Sequence, residues 1–420
     1  MSHDEGQRYE NHAFGSHTFL AAARFITQSQ IVQLVLVAVF TVPILASCRS
    51  MPAAYTPAGN GRVFDKVWDT VHRRFYDTNF HGVDWSAARN LYRPQAVAAT
   101  NETQLYLVLR EMLNSLQSSH TGVTPPSAVR RIYKDRAVNV GTVALAQADQ
   151  PALVFDVLPD SPAAEAGVRR GWIIVRDWER TPKKEGPICE GDTLSADFLD
   201  ENDQLRSVQV VLREISTGYP PTVQALPEGW ICLRFDEFNA GASRWLHRQL
   251  RRHRQSAGIL IDLRLNRGGY RYQLARIARQ LFPTNTSLGT FVTRKNGVRE
   301  FASRPHWASI GYDGPLGILV SKNTASSAEI LAGAVQSHRR GTLFSPGPKT
   351  AGAVAGSLTW MLPDGGRLSV AIEAYQTPEG HSLEGEGLHP DRKLPPITAA
   401  DLRSGVDTHV KAALEIMKAP

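Results

Sequence analysis

The chain has 420 residues, of which 42% are hydrophobic and 21% charged, with 33 Gly and 25 Pro. That length exceeds what one hydrophobic core usually supports, so two or three domains are expected, and the composition excludes a disordered chain, a fibre and a coiled coil. The 47 Lys and Arg against 40 Asp and Glu give a net charge of +7, yet much of the excess lies in RWLHRQLRRHRQ, Arg244 to Gln255. There Trp245, Leu246 and Leu250 form a partial apolar stripe, and the arginines read as a solvated helix face rather than a nucleic-acid surface.

In chain order, a polar stretch gives way to IVQLVLVAVFTVPILASC, Ile31 to Cys48. This apolar run is shorter than the ~20 residues of a spanning helix and ends in small residues, which is the pattern of an export signal. Leu45-Ala46-Ser47-Cys48 resembles the lipobox of bacterial lipoproteins, and the resemblance implies lipidation at Cys48 and attachment to a membrane of the periplasm or cell envelope. The polar stretch before Ile31 is long for a leader, which leaves a retained anchor as the alternative. Cys189 and Cys232 are the remaining cysteines; a disulfide between them and a lone buried Cys232 in WICLRF are both open. No metal-ligand spacing involves any of the three cysteines.

A linker over 49–60 leads into two helical patterns. The first carries Phe64, Val67, Trp68, Val71 and Phe75; the second starts at Asn101 and carries Leu105, Leu109 and Leu116. It ends in Gln117-Ser118-Ser119-His120-Thr121-Gly122, a polar turn able to display a chemical group. From about Val138 to Arg213 the runs become short and β-like. Within them VLPDSPAAEAGVRRGWII resembles the strand-to-helix part of a PDZ domain, with Trp172 where that family usually has Asp. From Trp230, strand-like runs (ICLRF, GILIDLRL, LGILVS) alternate with helical ones, as in a mostly parallel sheet covered by helices. A hairpin from Leu358 to Glu373, the segment LEGEGLHPD and a C-terminal helix near Asp401 to Met417 complete the chain.

Ser326 stands where the strand LGILVS turns into a helix, in NTASSAEI. A serine there is commonly only a helix cap. The same place suits a nucleophile, because the helix N-terminus stabilises negative charge developing on a bound carbonyl oxygen. GILIDLRLNRGGY, NTASSAEILAGAVQ, Thr350-Ala351-Gly352, LPDG and LEGEGLHPD occur in the order and spacing of the carboxy-terminal processing and tricorn-type serine peptidases, and LNSLQSSHTGV and the PDZ-like segment resemble that family too. The resemblance spans Val63 to Pro396.

The resemblance implies a crotonase- or ClpP-like α/β peptidase core with an N-terminal helical segment and an inserted PDZ-like β domain. The corresponding division is a signal over 1–48, the linker, a helical domain over 61–128, the PDZ-like domain over 129–216, the core over 217–398 and a C-terminal helix over 399–420. It further implies Ser326 as nucleophile, with an oxyanion hole of backbone N–H groups from Ser327 and from Gly268 or Gly269.

The processing branch takes a Lys directly after the Thr-x-Gly turn as its base, but that position here is Ala353; Lys349 lies before the turn and is the alternative base. The tricorn-type branch takes a His preceded by a Ser and supported by a Glu, which selects His120, Ser119 and Glu384, with Glu386 a close neighbour of the last. The family needs no metal or organic cofactor. Its substrates are proteins or peptides, whose C-terminus the PDZ-like domain would hold. A catalytically silent relative that binds peptide or lipid is the alternative.

Overall fold

The computed structural model describes residues 55–419 apart from 133–135, 148–149, 183–187, 189, 217–218, 283, 296 and 305–310. The apolar run to Cys48, the first half of the linker and Cys189 lie outside the described residues.

Three helices begin the described chain: α1 (Pro57–Arg74), α2 (Trp85–Ala98) and α3 (Glu102–Asn114). Each is started by a side-chain cap: Thr56 Oγ1 receives the Gly59 N–H at 3.2 Å, Asp84 Oδ1 that of Ala87 at 2.8 Å and Asn101 Oδ1 that of Gln104 at 3.0 Å. The stripes of α1 and α3 are those visible in the sequence. α2 is not, because Pro94 interrupts it and only Trp85, Ala88 and Ala96 are buried along it.

Next come β1 (Gly122–Thr124), α4 (Pro126–Ile132), β2 (Arg136–Asn139), β3 (Thr142–Gln147), β4 (Gln150–Val157), α5 (Pro162–Glu165), β5 (Ile173–Arg180), β6 (Thr193–Leu199), β7 (Leu205–Val211) and β8 (Arg213–Ser216). β3 to β7 form one sheet in chain order, and β2 pairs with β8. Ser161 caps α5 and Gly167, at φ 82°, turns the chain out of it. Trp172 is buried against Phe198, and its indole N–H donates to Glu201 at 2.8 Å.

The remaining chain forms β9 (Thr222–Ala225), β10 (Trp230–Arg234), α6 (Ala240–Arg252), β11 (Gly258–Asp262), α7 (Arg271–Leu281), β12 (Thr286–Thr293), β13 (Val298–Ser303), β14 (Leu316–Leu319), α8 (Ser327–Ser337), β15 (Thr342–Ser345), β16 (Ala355–Met361), β17 (Arg367–Gln376), β18 (Arg392–Lys393), α9 (Ala399–Arg403) and α10 (Thr408–Lys418). One sheet runs β18-β15-β14-β11-β10-β9, parallel except at β9. Its central strands β11 and β14 are buried at every position, as expected of a parallel sheet covered on both faces. A second sheet runs β1-β17-β12-β13 with β16 on the other side of β17. Its Leu368 and Val370 pack under the N-terminal helices.

The C-terminal segment is two helices rather than one, because Gly405, at φ 76°, turns the chain between them. Cys232 is free and buried in β10. On α6 the buried residues are Ala242, Ser243, Leu246 and Leu250, so the arginines do lie on the solvated side.

Below the parallel sheet Arg264, 3% exposed, donates to Asp262 at 2.7 Å and to Asp407 at 2.6 Å. Burial by itself raises the Asp407 carboxyl, but the Arg264 guanidinium outweighs it and holds the group well below the usual carboxylate range. This cluster ties β11 to α10. Arg264→Ala leaves two buried carboxylates without their cation, so urea unfolding is expected to show a loss of about 3–5 kcal/mol. A loss under about 1 kcal/mol would mean that the cluster does not hold the C-terminal helix in place.

Candidate active site

Ser326 sits between the parallel sheet and α8. Its φ of 56° and ψ of −124° lie outside the extended region of an ordinary cap, a strained conformation for a residue with a Cβ. The strain is held from several sides. The Ser326 N–H is shared by the Ala353 carbonyl at 2.9 Å and the Glu329 carboxylate at 3.1 Å, and Ala325 N–H donates to the Asn266 carbonyl at 3.1 Å. The Gly268 turn packs directly beneath: a Cβ there would lie 2.6 Å from Ser326 Cβ and 2.9 Å from the Ala325 carbonyl oxygen.

The chain from α3 delivers Ser119 and His120 to the same place. Ser369 Oγ, on β17, donates to the His120 carbonyl at 3.1 Å, and the Ala371 N–H donates to Thr121 Oγ1 at 3.1 Å, so β17 fixes the turn that precedes β1. His120 Nε2 lies 3.3 Å from Ser326 Oγ, and its Nδ1 lies 2.7 Å from Ser119 Oγ. Ser119 in turn donates to Glu384 twice, from its hydroxyl at 2.9 Å and its N–H at 2.8 Å, and Val354 N–H donates to the same carboxylate at 2.7 Å.

These contacts fix the tautomer. An ionised carboxylate only accepts, so the Ser119 hydroxyl gives its proton to Glu384 and accepts from His120 Nδ1–H. Nε2 is then the bare nitrogen, facing the Ser326 hydroxyl. Burial lowers the His120 pKa below the ordinary 6.5, and the Glu384 charge offsets part of that. The imidazole is therefore neutral at pH 7.

Two backbone N–H groups close to Ser326 in the chain or the fold are open. Gly268 N–H is taken by Asn266 Oδ1 at 2.8 Å, which leaves Gly269 as the glycine with an open donor. Ser327, at the first turn of α8, has its hydroxyl on the Gly269 carbonyl at 2.9 Å. No hydrogen bond among the described residues takes the N–H of Gly269 or of Ser327.

A model of peptidase family S41 matches residues 231–394, and one of the tricorn protease C1 domain matches residues 61–114. The carboxyl-terminal-processing protease of Synechocystis is 26% identical over 390 residues, 87% of this chain and 88% of that protein. That of Picosynechococcus is 28% identical over 380 residues, 84% of this chain and 88% of that protein. Over residues 231–394 the chain matches peptidase family S41, and over most of its length it is similar to the carboxyl-terminal-processing proteases. It is a serine-type peptidase of the carboxyl-terminal-processing kind. The solved photosystem II D1 C-terminal processing protease has the same fold, with a TM-score of 0.57 at 23% identity over 86% of this chain and 97% of that one.

Within this S41 fold Lys349 points elsewhere: its ammonium donates to the Gly385 carbonyl at 3.3 Å, and it is not a partner of Ser326. Glu386 is exposed and stays outside the hydrogen-bonded chain that Glu384 joins. Among the described residues no cluster of His, Cys, Asp and Glu is arranged to hold a metal ion.

A further residue belongs to the site, Glu329. Fully buried, its carboxylate receives Thr350 Oγ1–H, Gly352 N–H at 2.8 Å, Ala353 N–H at 2.9 Å and the Ser326 N–H. Burial pushes its carboxyl up, and these donors offset part of the rise. The signal was present as Ser326-Ser327-Ala328-Glu329, the spacing at which a glutamate reaches back to the N–H of a helix-starting serine.

Gly268→Ala adds the Cβ that meets Ser326 and forces a non-glycine residue to φ 96°. It is expected to lower peptidase kcat by about 10²-fold or more while leaving the protein folded by circular dichroism, because the Ser326 hydroxyl is displaced by a fraction of an ångström. Full activity would show that this close approach does not set the Ser326 geometry.

Proposed function

We propose that the protein cleaves peptide bonds through an acyl-enzyme on Ser326, with His120 as general base and Ser119 and Glu384 as positioning residues. The observation that carries this reading is the continuous chain Glu384–Ser119–His120–Ser326, with Nε2 of a neutral imidazole 3.3 Å from the hydroxyl. Ser326 Oγ adds to the scissile carbonyl carbon while His120 Nε2 takes its proton. The carbonyl oxygen, now negative, accepts from the Gly269 and Ser327 N–H groups. His120 then protonates the leaving amine, the C–N bond breaks, and water repeats the cycle on the ester. Each oxyanion donor is worth about 10²–10³ in rate.

The apolar run to Cys48 supports an exported, lipid-anchored protein. The SPAAEAG segment with its sheet of β3 to β7 supports a PDZ-like domain that receives a peptide C-terminus.

Ser326→Ala and His120→Ala are each expected to reduce kcat on a fluorogenic peptide by on the order of 10⁴-fold, with Lys349→Ala close to wild type. Survival of activity without His120 and its loss without Lys349 would overturn the assignment of the base. Because burial lowers the His120 pKa from its ordinary value, the acid limb of kcat/KM is expected to lie at lower pH than for a free imidazole. In Glu384→Gln the carboxylate that favours the imidazolium is gone, so this acid limb moves to still lower pH. An unmoved limb would remove Glu384 from the chain of groups.

A further inference from the structure

β16 leaves the active site directly. The Ala353 carbonyl receives the Ser326 N–H, the Val354 N–H goes to Glu384, and the strand begins at Ala355. On one side it pairs with β17 from Ala355↔Ala374 to Met361↔Arg367; on the other, no described strand pairs with it. Leu362 N–H donates to the Gly366 carbonyl at 2.8 Å at the hairpin end. Antiparallel strands alternate inward- and outward-bonding residues, and the register is regular from Ser357 to Met361. Leu358 and Trp360 therefore bond β17, while Ser357, Thr359 and Met361 turn their N–H and C=O groups outward.

Open edges invite pairing, and solvent-facing ones are usually blunted by charge or proline. The opposite edge of this sheet is blunted: β13 reads VREFAS, with Arg299 and Glu300 exposed. β16 reads AGSLTWM, with neither charge nor proline over seven residues. An unprotected edge that starts at the nucleophile is suited to a strand that comes and goes. Leu358 and Met361, 53% and 57% exposed, stand on opposite faces of the strand and offer apolar contact to side chains on either side of such a partner.

We propose that β16 is the docking edge for the substrate main chain: an extended, unstructured peptide segment with uncharged side chains adds to the sheet beside β16 and so lays its scissile bond across Ser326. This rests on Ser326 being the nucleophile.

The test uses the full chain, a fluorogenic peptide and p-nitrophenyl acetate, an ester too small to reach the strand. Thr359→Pro removes only an outward N–H, a change that edge strands tolerate. It is expected to cut peptide kcat/KM by about tenfold or more, the worth of a lost strand hydrogen bond and the ring's obstruction, with ester turnover kept. Wild-type enzyme provides the second arm, with peptides N-methylated at successive residues: turnover should fall at alternate positions only. Unchanged peptide turnover in Thr359→Pro, or no alternation with the methylated peptides, would overturn the proposal. So would a dimer in sedimentation that Thr359→Pro splits without affecting turnover, since the edge would then belong to a second copy. Ester hydrolysis that survives Ser326→Ala would instead count against the nucleophile, a separate failure.

Discussion

The buried carboxylate of Glu329 is the interaction on which the site depends. It stands one turn into α8 and gathers donors from two segments that are otherwise unrelated: the Ser326 N–H before the helix, and Thr350, Gly352 and Ala353 in the turn that leads to β16. A buried acceptor left without donors is costly, and one with four holds every donor in place. Thr350 extends the arrangement, because its hydroxyl also accepts the Leu388 N–H at 2.8 Å and its N–H donates to the Leu388 carbonyl at 3.0 Å. The Gly352 carbonyl receives the Gly385 N–H at 2.7 Å. The loop carrying Glu384 is thus clamped to the turn that is itself clamped to Ser326.

His120 arrives from far away in the chain. Residue 120 belongs to the end of the N-terminal helical region, and it reaches Ser326 because β1 pairs with β17 in the register Gly122↔Ser369. β17 serves both sides at once, holding the histidine turn on one edge and β16 on the other. The N-terminal helices pack on its Leu368 and Val370. Cohesion of that apolar cluster is therefore a condition for placing the imidazole, and a defect in the helices would be felt as misplacement of the His120 ring.

Much of the fold was legible because its signals are local. The stripes of α1, α3 and α6, the Ser161 cap of α5 and the continuous apolar runs of β11 and β14 are each set by neighbours a few residues apart. The failures were local as well. Pro94 hid α2, and the periodicity after Asp401 carried across Gly405 as though no turn were there. Of the site, the Ser326 turn and the His120 turn were recognisable as motifs, but two glycines remained indistinguishable as donors. What separates them is the side chain of Asn266, which takes up the Gly268 N–H and leaves that of Gly269 free.

The sequence alone determined which elements form and which residue types stand at their ends, including the Ser326 turn and the Ser119-His120 turn, because caps, turns and periodicity act over one or two helical turns. It also carried the absence of a lysine at 353. Only the tertiary structure decided that Nε2 of His120 meets Ser326, that Lys349 turns to Gly385, that Glu329 ties two segments together and that β16 keeps an open edge. Those are relations between residues tens to hundreds of positions apart, and strand register and buried hydrogen bonds, rather than local preference, bring them within hydrogen-bonding distance of one another.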